Sequence, residues 1–231
     1  MILEEKINEL KEKLLLMADT AKGMVTKSIK ALIEKNDALS KEVIEQDEPK
    51  VNDLEIEIEE SAINLIALYQ PEASHLRTVM MIVKINNDLE RIGDHAVNIA
   101  ESGMTWLIPK PDVKPLIDLP RMAEGSTKML SDSIDAFIRG DAELARKVCR
   151  RDSIIDSLLD QITRELITYM VSDPKTIDRA LALILVAKNL ERVADLATNL
   201  AEDIIYIVKG EIIKHHRIKD DKQSDDSVKL D

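Results

Sequence analysis

The chain repeats itself. Residues 89–101 read Leu-Glu-Arg-Ile-Gly-Asp-His-Ala-Val-Asn-Ile-Ala-Glu, and residues 190–202 read Leu-Glu-Arg-Val-Ala-Asp-Leu-Ala-Thr-Asn-Leu-Ala-Glu. At this offset of 101, Leu89, Glu90, Arg91, Asp94, Ala96, Asn98, Ala100 and Glu101 all recur. Upstream, Asp37, Glu48 and Asn52 correspond to Asp141, Asp152 and Asp156 at an offset of 104. A period of this size is too long for a solenoid unit and predicts two copies of a domain.

Each copy reads as helices. Apolar residues recur at three- and four-residue spacing almost throughout. Aromatic residues make up only 2% of the chain, so the core is aliphatic, which suits packed helices better than sheets. Breaks fall at Asn36-Asp37, Gln70-Pro71, Gly140-Asp141 and Ser172-Asp173-Pro174, and the stretch from Pro109 to Pro115 holds three prolines that no helix interior accepts. The expected helices span 3–35, 38–69, 72–107, 117–139, 141–171 and 174–213. The expected fold is all-α: a three-helix bundle over 1–108, a hinged linker over 109–116, a second three-helix bundle over 117–213, and a charged, disordered tail over 214–231.

The net charge of −12 argues against a nucleic-acid partner, which needs a concentrated basic surface. It favours partners with basic faces, or cations. Cys149 is the single cysteine, so an intrachain disulfide and a thiolate zinc cluster are both excluded. Its expected role is that of a small apolar filler. The start, Met1-Ile-Leu-Glu-Glu-Lys, lacks a signal-peptide pattern, and no apolar run approaches the roughly 20 residues of a membrane span. A cytoplasmic location is the expectation, with any membrane association indirect.

The acidic residues are patterned. Glu90 and Asp94 are four apart and share a helix face, as do Glu191 and Asp195, Glu48 and Asn52, and Asp152 and Asp156. With Leu89 at the centre of the apolar stripe, Glu90, Asp94 and Glu101 lie about 100°, 140° and 120° round the helix, on its flank. Glu48, Asn52, Glu55 and Glu59 take the matching flank of the preceding helix. Counted from the turns near Gln70 and Ser172, the acids of neighbouring antiparallel helices reach the same level in both halves. Like charges held together are relieved by protonation, a basic partner or a metal ion. Oxygen ligands suit hard cations, and iron or manganese carboxylate clusters are also compatible. The plainer alternative is a solvated acidic face balanced by Arg91 and Arg192.

The string from Leu89 to Glu101, with its second copy from Asn189 to Asp203, resembles the repeat motif of the PhoU family. The likeness covers essentially the whole chain before the tail. It implies two three-helix bundles and a negative regulator that links the ATPase of a phosphate ABC transporter to a sensor histidine kinase. It also implies a multinuclear metal cluster on each bundle, iron first, with zinc or another divalent cation as alternatives. Mapped here, the ligands are Glu48, Asn52, Glu90 and Asp94 in one half and Asp152, Asp156, Glu191 and Asp195 in the other. Asn52 departs from the expected carboxylate. A homodimer is a further expectation.

Other residues carry less. His95 has Leu196 as its counterpart, so the repeat gives it no paired ligand. Gly93 matches Ala194, which points to close helix packing. His75 follows Glu72 at the spacing of a di-iron motif, but a ferritin-like oxidase needs a second copy that the chain does not contain. No phosphate-cradling glycine loop or nucleophile–base pattern is present, so the expected protein is not an enzyme. The alternatives are that metal-carboxylate oxidase and a helical adaptor without metal.

Overall fold

The computed structural model describes residues 2–114 and 116–209. The first bundle comprises α1 (Ile2–Glu34), a helix in two pieces, α2 (Asp37–Glu42) and α3 (Glu48–Tyr69), and α4 (Ala73–Ser102). The second comprises α5 (Asp118–Arg139), α6 (Ala142–Cys149) continued by α7 (Asp152–Ser172), and α8 (Ile177–Lys209). There is no strand among the described residues. The charged tail expected at 214–231, and residues 210–213 of the last expected helix, lie outside the described residues.

Two expected helices are interrupted, and the cause is visible. A π turn, Val43–Asp47, joins α2 to α3, and another, Gly103–Leu107, follows α4. Each ends two residues before a proline, Pro49 or Pro109. Proline has no N–H to donate to the carbonyl four residues back, and its ring crowds that oxygen, so the chain widens by one residue. Ile108 N then bonds Gly103 O at 2.9 Å, five residues back. In the second half the matching helix instead breaks at Arg150-Arg151.

That extra residue accounts for one step of the drifting repeat, ahead of α3. The residues that cap α2 and α6 are Asn36, whose side chain accepts from Ala38 N, and Asp141, which accepts from Glu143 N and Leu144 N. They are 105 apart, whereas Glu48 and Asp152, which open α3 and α7 beyond the π turn, are 104 apart. The sequence match of Asp37 with Asp141 is therefore off by one.

Within each bundle a buried serine ties the first helix to the third. Ser28 Oγ donates to Ala96 O at 2.8 Å, and Ser133 Oγ to Ala197 O at 2.8 Å. Met24, Ile85, Leu89 and Ile92 are buried in the same core, as are Met129, Val186, Leu190 and Val193 in the other half. A second tie inverts its charges between the halves. Lys27 Nζ is 2.6 Å from Asp47 Oδ2 and also bonds Glu42, whereas Asp132 Oδ2 is 2.5 Å from Arg151 Nη1.

The bundles pack against each other through α4 on α8 and α1 on α5. Residue numbers rise along α4 as their partners fall along α8: Lys84 meets Asp203, and His95 meets Asn189. The two third helices therefore run antiparallel. The connecting stretch is anchored to both halves. Lys35 Nζ donates to Lys110 O at 2.7 Å, Arg179 Nη1 to Pro111 O at 2.6 Å, and the buried Lys114 bonds Asp118 and Glu165. Gly93 lies against its own bundle, where an added Cβ would stand 3.4 Å from Val51 Cγ1, an ordinary contact.

Candidate metal centre

Two acidic grooves run along the outside of the bundles, one between α3 and α4 and one between α7 and α8. In the first, Asn86 Nδ2 donates to Glu55 O at 3.0 Å and sets the register of the two helices. That register puts Glu48 opposite Asp94, as the counting from the turn requires. Burial and then the charges of Asp94 and Glu101 push the Glu48 carboxyl above its ordinary range. Burial, Asp94, Glu55 and Glu48 do the same to Glu90, against a smaller opposing effect of Arg91. Glu48, Glu90 and Asp94 thus gather, with Glu55 and Glu101 beside them, and none of the three makes an ion pair among the described residues. Asn52 shares the α3 face but is exposed.

The second groove brings together all four expected residues. Burial and then Asp195 raise the Glu191 carboxyl, with Asp156 and Asp152 adding to the effect. Burial raises that of Asp195 as well; Arg192 opposes, Asp156 adds, and His95 opposes. Two partners here have no equal in the first groove. Arg192 Nη1 reaches Asp195 Oδ2 at 2.9 Å, and Thr198 Oγ1 donates to Asp152 Oδ1 at 3.2 Å. Thr198 stands where the first copy has Val97. That Thr-for-Val exchange within a matched motif was a readable signal of a polar role.

The donor chemistry fits a multivalent cation. Both grooves offer carboxylate oxygens that repel one another, and in the first Glu48, Glu90 and Asp94 make no ion pair among the described residues, with only the charge of Arg91 opposing at Glu90. As the side chains lie, no three His, Cys, Asp or Glu groups among the described residues are placed to hold one ion. Chelation therefore requires side-chain rotation, and in the second groove displacement of the exposed Arg192. The remaining candidates lie elsewhere. The charge of His75 acts on Glu4 of α1, away from both grooves. The Cys149 thiol is pushed up to about 11, chiefly by burial.

Two three-helix bundles with paired acids at matching positions define a duplicated, all-helical class of protein. A family model described as the PhoU domain matches this chain twice, over residues 14–103 and 119–204. The chain belongs to the PhoU family. It is 44% identical to the phosphate-specific transport system accessory protein PhoU homolog of Aquifex aeolicus, over 95% of this chain and 99% of that one. It is 37% identical to the PhoU homolog 2 of Thermotoga maritima, over 92% and 90%. Among solved structures, PhoU from Pseudomonas aeruginosa superposes with a TM-score of 0.86 at 33% identity, covering 90% of this chain and 99% of that one. The phosphate transport system regulatory protein PhoU from Streptococcus pneumoniae superposes with a TM-score of 0.84 at 26% identity, covering 92% and 100%. These relatives are named as accessory or regulatory proteins, not as enzymes.

Proposed function

We propose that this protein is an accessory regulator of phosphate uptake that works by binding partners, with a metal cluster held in each acidic groove. The observation that carries the reading is the gathering of Glu48, Glu90 and Asp94, none with an ion-pair partner among the described residues, in a chain that matches the PhoU domain twice. Glu48, Asn52, Glu90 and Asp94 would hold the metal in one bundle, and Asp152, Asp156, Glu191 and Asp195 in the other. Iron is the first expectation and zinc the second. Bound metal would remove the mutual repulsion and leave a less acidic face for a partner.

Two partners are proposed from the names of the relatives and the family resemblance: the ATPase of a phosphate ABC transporter, and a sensor histidine kinase that the protein holds in check. A cytoplasmic location follows from those partners. No helix among the described residues is long and apolar enough to cross a membrane, and association with the membrane would run through those partners. The acidic surface predicts a basic face on each partner and association that weakens with salt. A deletion strain tests the reading. Phosphate-starvation genes are expected to run when phosphate is plentiful. Normal repression, together with no binding to either partner at low salt, would overturn it.

A further inference from the structure

The two bundles treat one place differently. α1 matches α5 at an offset of 105, as the serine ties show, and α3 matches α7 at 104. Lys13 and Ser61 of the first bundle therefore stand where the second has Asp118 and Glu165. In the second bundle the place between these two side chains is filled. The ammonium of Lys114, from the connecting stretch, bonds both carboxylates, and its side chain is only 7% exposed. Val113 and Leu116, either side of it in sequence, pack against the core. In the first bundle the place is open. Lys13 Nζ donates to Ser61 Oγ at 3.3 Å, and beside this pair lies a cleft of about 260 Å³ between α1 and α3. The residue matching Lys114 is Glu9, which is turned to Lys6 at 2.7 Å and stays half in solvent.

We propose that this α1–α3 cleft docks an acidic peptide segment of a partner protein, which seats a carboxylate on Lys13 and Ser61 as the connecting stretch seats Lys114 on Asp118 and Glu165. The charge is reversed and the arrangement otherwise repeats. Buried Leu10 and Leu65 line the cleft, and Leu68 and Tyr69 stand exposed at its rim, so an apolar side chain next to the carboxylate finds the kind of contact that Val113 makes in the other half. Lys6 lines the same space and adds a second ammonium. The ion pairs already made do not close the site. Glu9 and Glu57, which hold Lys6 and Lys13, are themselves 51% and 57% exposed, and surface pairs of this kind are weak enough for an incoming carboxylate to displace. The inference stands apart from the acidic grooves. It gives a chain whose net charge is −12 one contact of the opposite kind, selective for acidic rather than basic segments.

The test uses the full chain, labelled for amide NMR, and a synthetic peptide that copies residues 111–117 with glutamate in place of Lys114, Pro-Asp-Val-Glu-Pro-Leu-Ile. This peptide is expected to shift the amides of residues 6–13 and 61–69, and to bind several-fold more weakly as salt is raised. The same peptide with lysine retained is expected to leave them unmoved. Lys13→Asp with Ser61→Glu, which copies the second bundle, is expected to invert the preference, so that the lysine peptide binds and the glutamate peptide does not, with the far-ultraviolet circular dichroism unchanged. Lys13→Gln, which keeps the apolar stem, is expected to weaken the glutamate peptide about fivefold, and it decides the matter where the double variant does not fold. Glutamate-peptide shifts that are absent, or that these substitutions leave unchanged, would overturn the proposal. So would binding that appears only after Asp220, Asp221, Asp225 and Asp226 are changed to Asn, because the cleft would then belong to the chain's own tail.

Discussion

Lys84 Nζ stands 2.5 Å from Asp203 Oδ1, so the third helix of one bundle is tied by charge to the third helix of the other. The tie is incomplete. Asp88, one turn along α4, is buried against the same aspartate, and Asp88 Oδ2 and Asp203 Oδ2 have no hydrogen-bond partner among the described residues. Burial and then the charge of Asp203 push the Asp88 carboxyl up to about 6, while Lys84 and Arg91 pull it down. Two carboxylates and one well-placed ammonium leave this interface under electrostatic tension near neutrality.

The tension has a sign. A carboxyl that binds its proton more tightly when folded costs nothing below its unfolded value of 3.8, and the cost grows up to about 6 and stays in full above that. A shift of that size is worth about 3 kcal/mol at most. Asp88→Asn is therefore expected to stabilise the metal-free protein at pH 7.5 by about 1–3 kcal/mol, with the gain vanishing by pH 4. Urea unfolding at the two pH values measures it, and a loss of stability at pH 7.5 would contradict the assignment.

The grooves predict a trade between stability and metal content. Replacing both Asp94 and Asp195 with Asn is expected to lower bound metal, measured by elemental analysis of protein purified without chelator. Helicity is expected to hold, and the metal-free form to gain a few tenths of a kcal/mol from relieved repulsion. Full metal content in the double variant would remove these residues from the sites.

Ser28 and Ser133 are expected to act alike. Either change to Ala removes the bond between the first and third helices of its bundle and is expected to cost about 1 kcal/mol, read from the denaturation midpoint. A neutral result at both positions would mean that the single hydroxyl proton goes to the carbonyl of Met24 or Met129 within the helix and the interhelical bond adds nothing.

Cys149 is expected to resist thiol reagents. With its pKa near 11, little thiolate exists at pH 8, and alkylation is expected to be slow until denaturant is added. Rapid labelling of the folded chain would show that the α6–α7 corner opens readily.

The helices, the duplication and the paired acids were legible because each repeats at a short, fixed spacing. Four residues on one helix face need no tertiary knowledge, and Glu48 and Asp94 could be brought level by counting from a turn. What lay outside that arithmetic was long-range. Pro49 sits inside a strongly periodic stretch, and the π turn it forces preserves the apolar face by absorbing one residue, so the pattern reads through it. The sequence places His95 only within its own bundle, because nothing in it gives the register of α4 on α8. The hydrogen bond to Asn189 appears only once that register exists.

The inverted ion pairs, Lys27 with Asp47 in one half and Asp132 with Arg151 in the other, bear on how a self-similar chain avoids tangling. Two halves built alike could exchange helices as they form, α1 accepting the hairpin partner meant for α5. Such a hybrid would set Lys27 against Arg151 and Asp132 against Asp47, cation on cation and anion on anion, where the proper pairing joins opposites. Each copy thus carries the opposite polarity at this contact, and the charges oppose a mismatched pairing of helices.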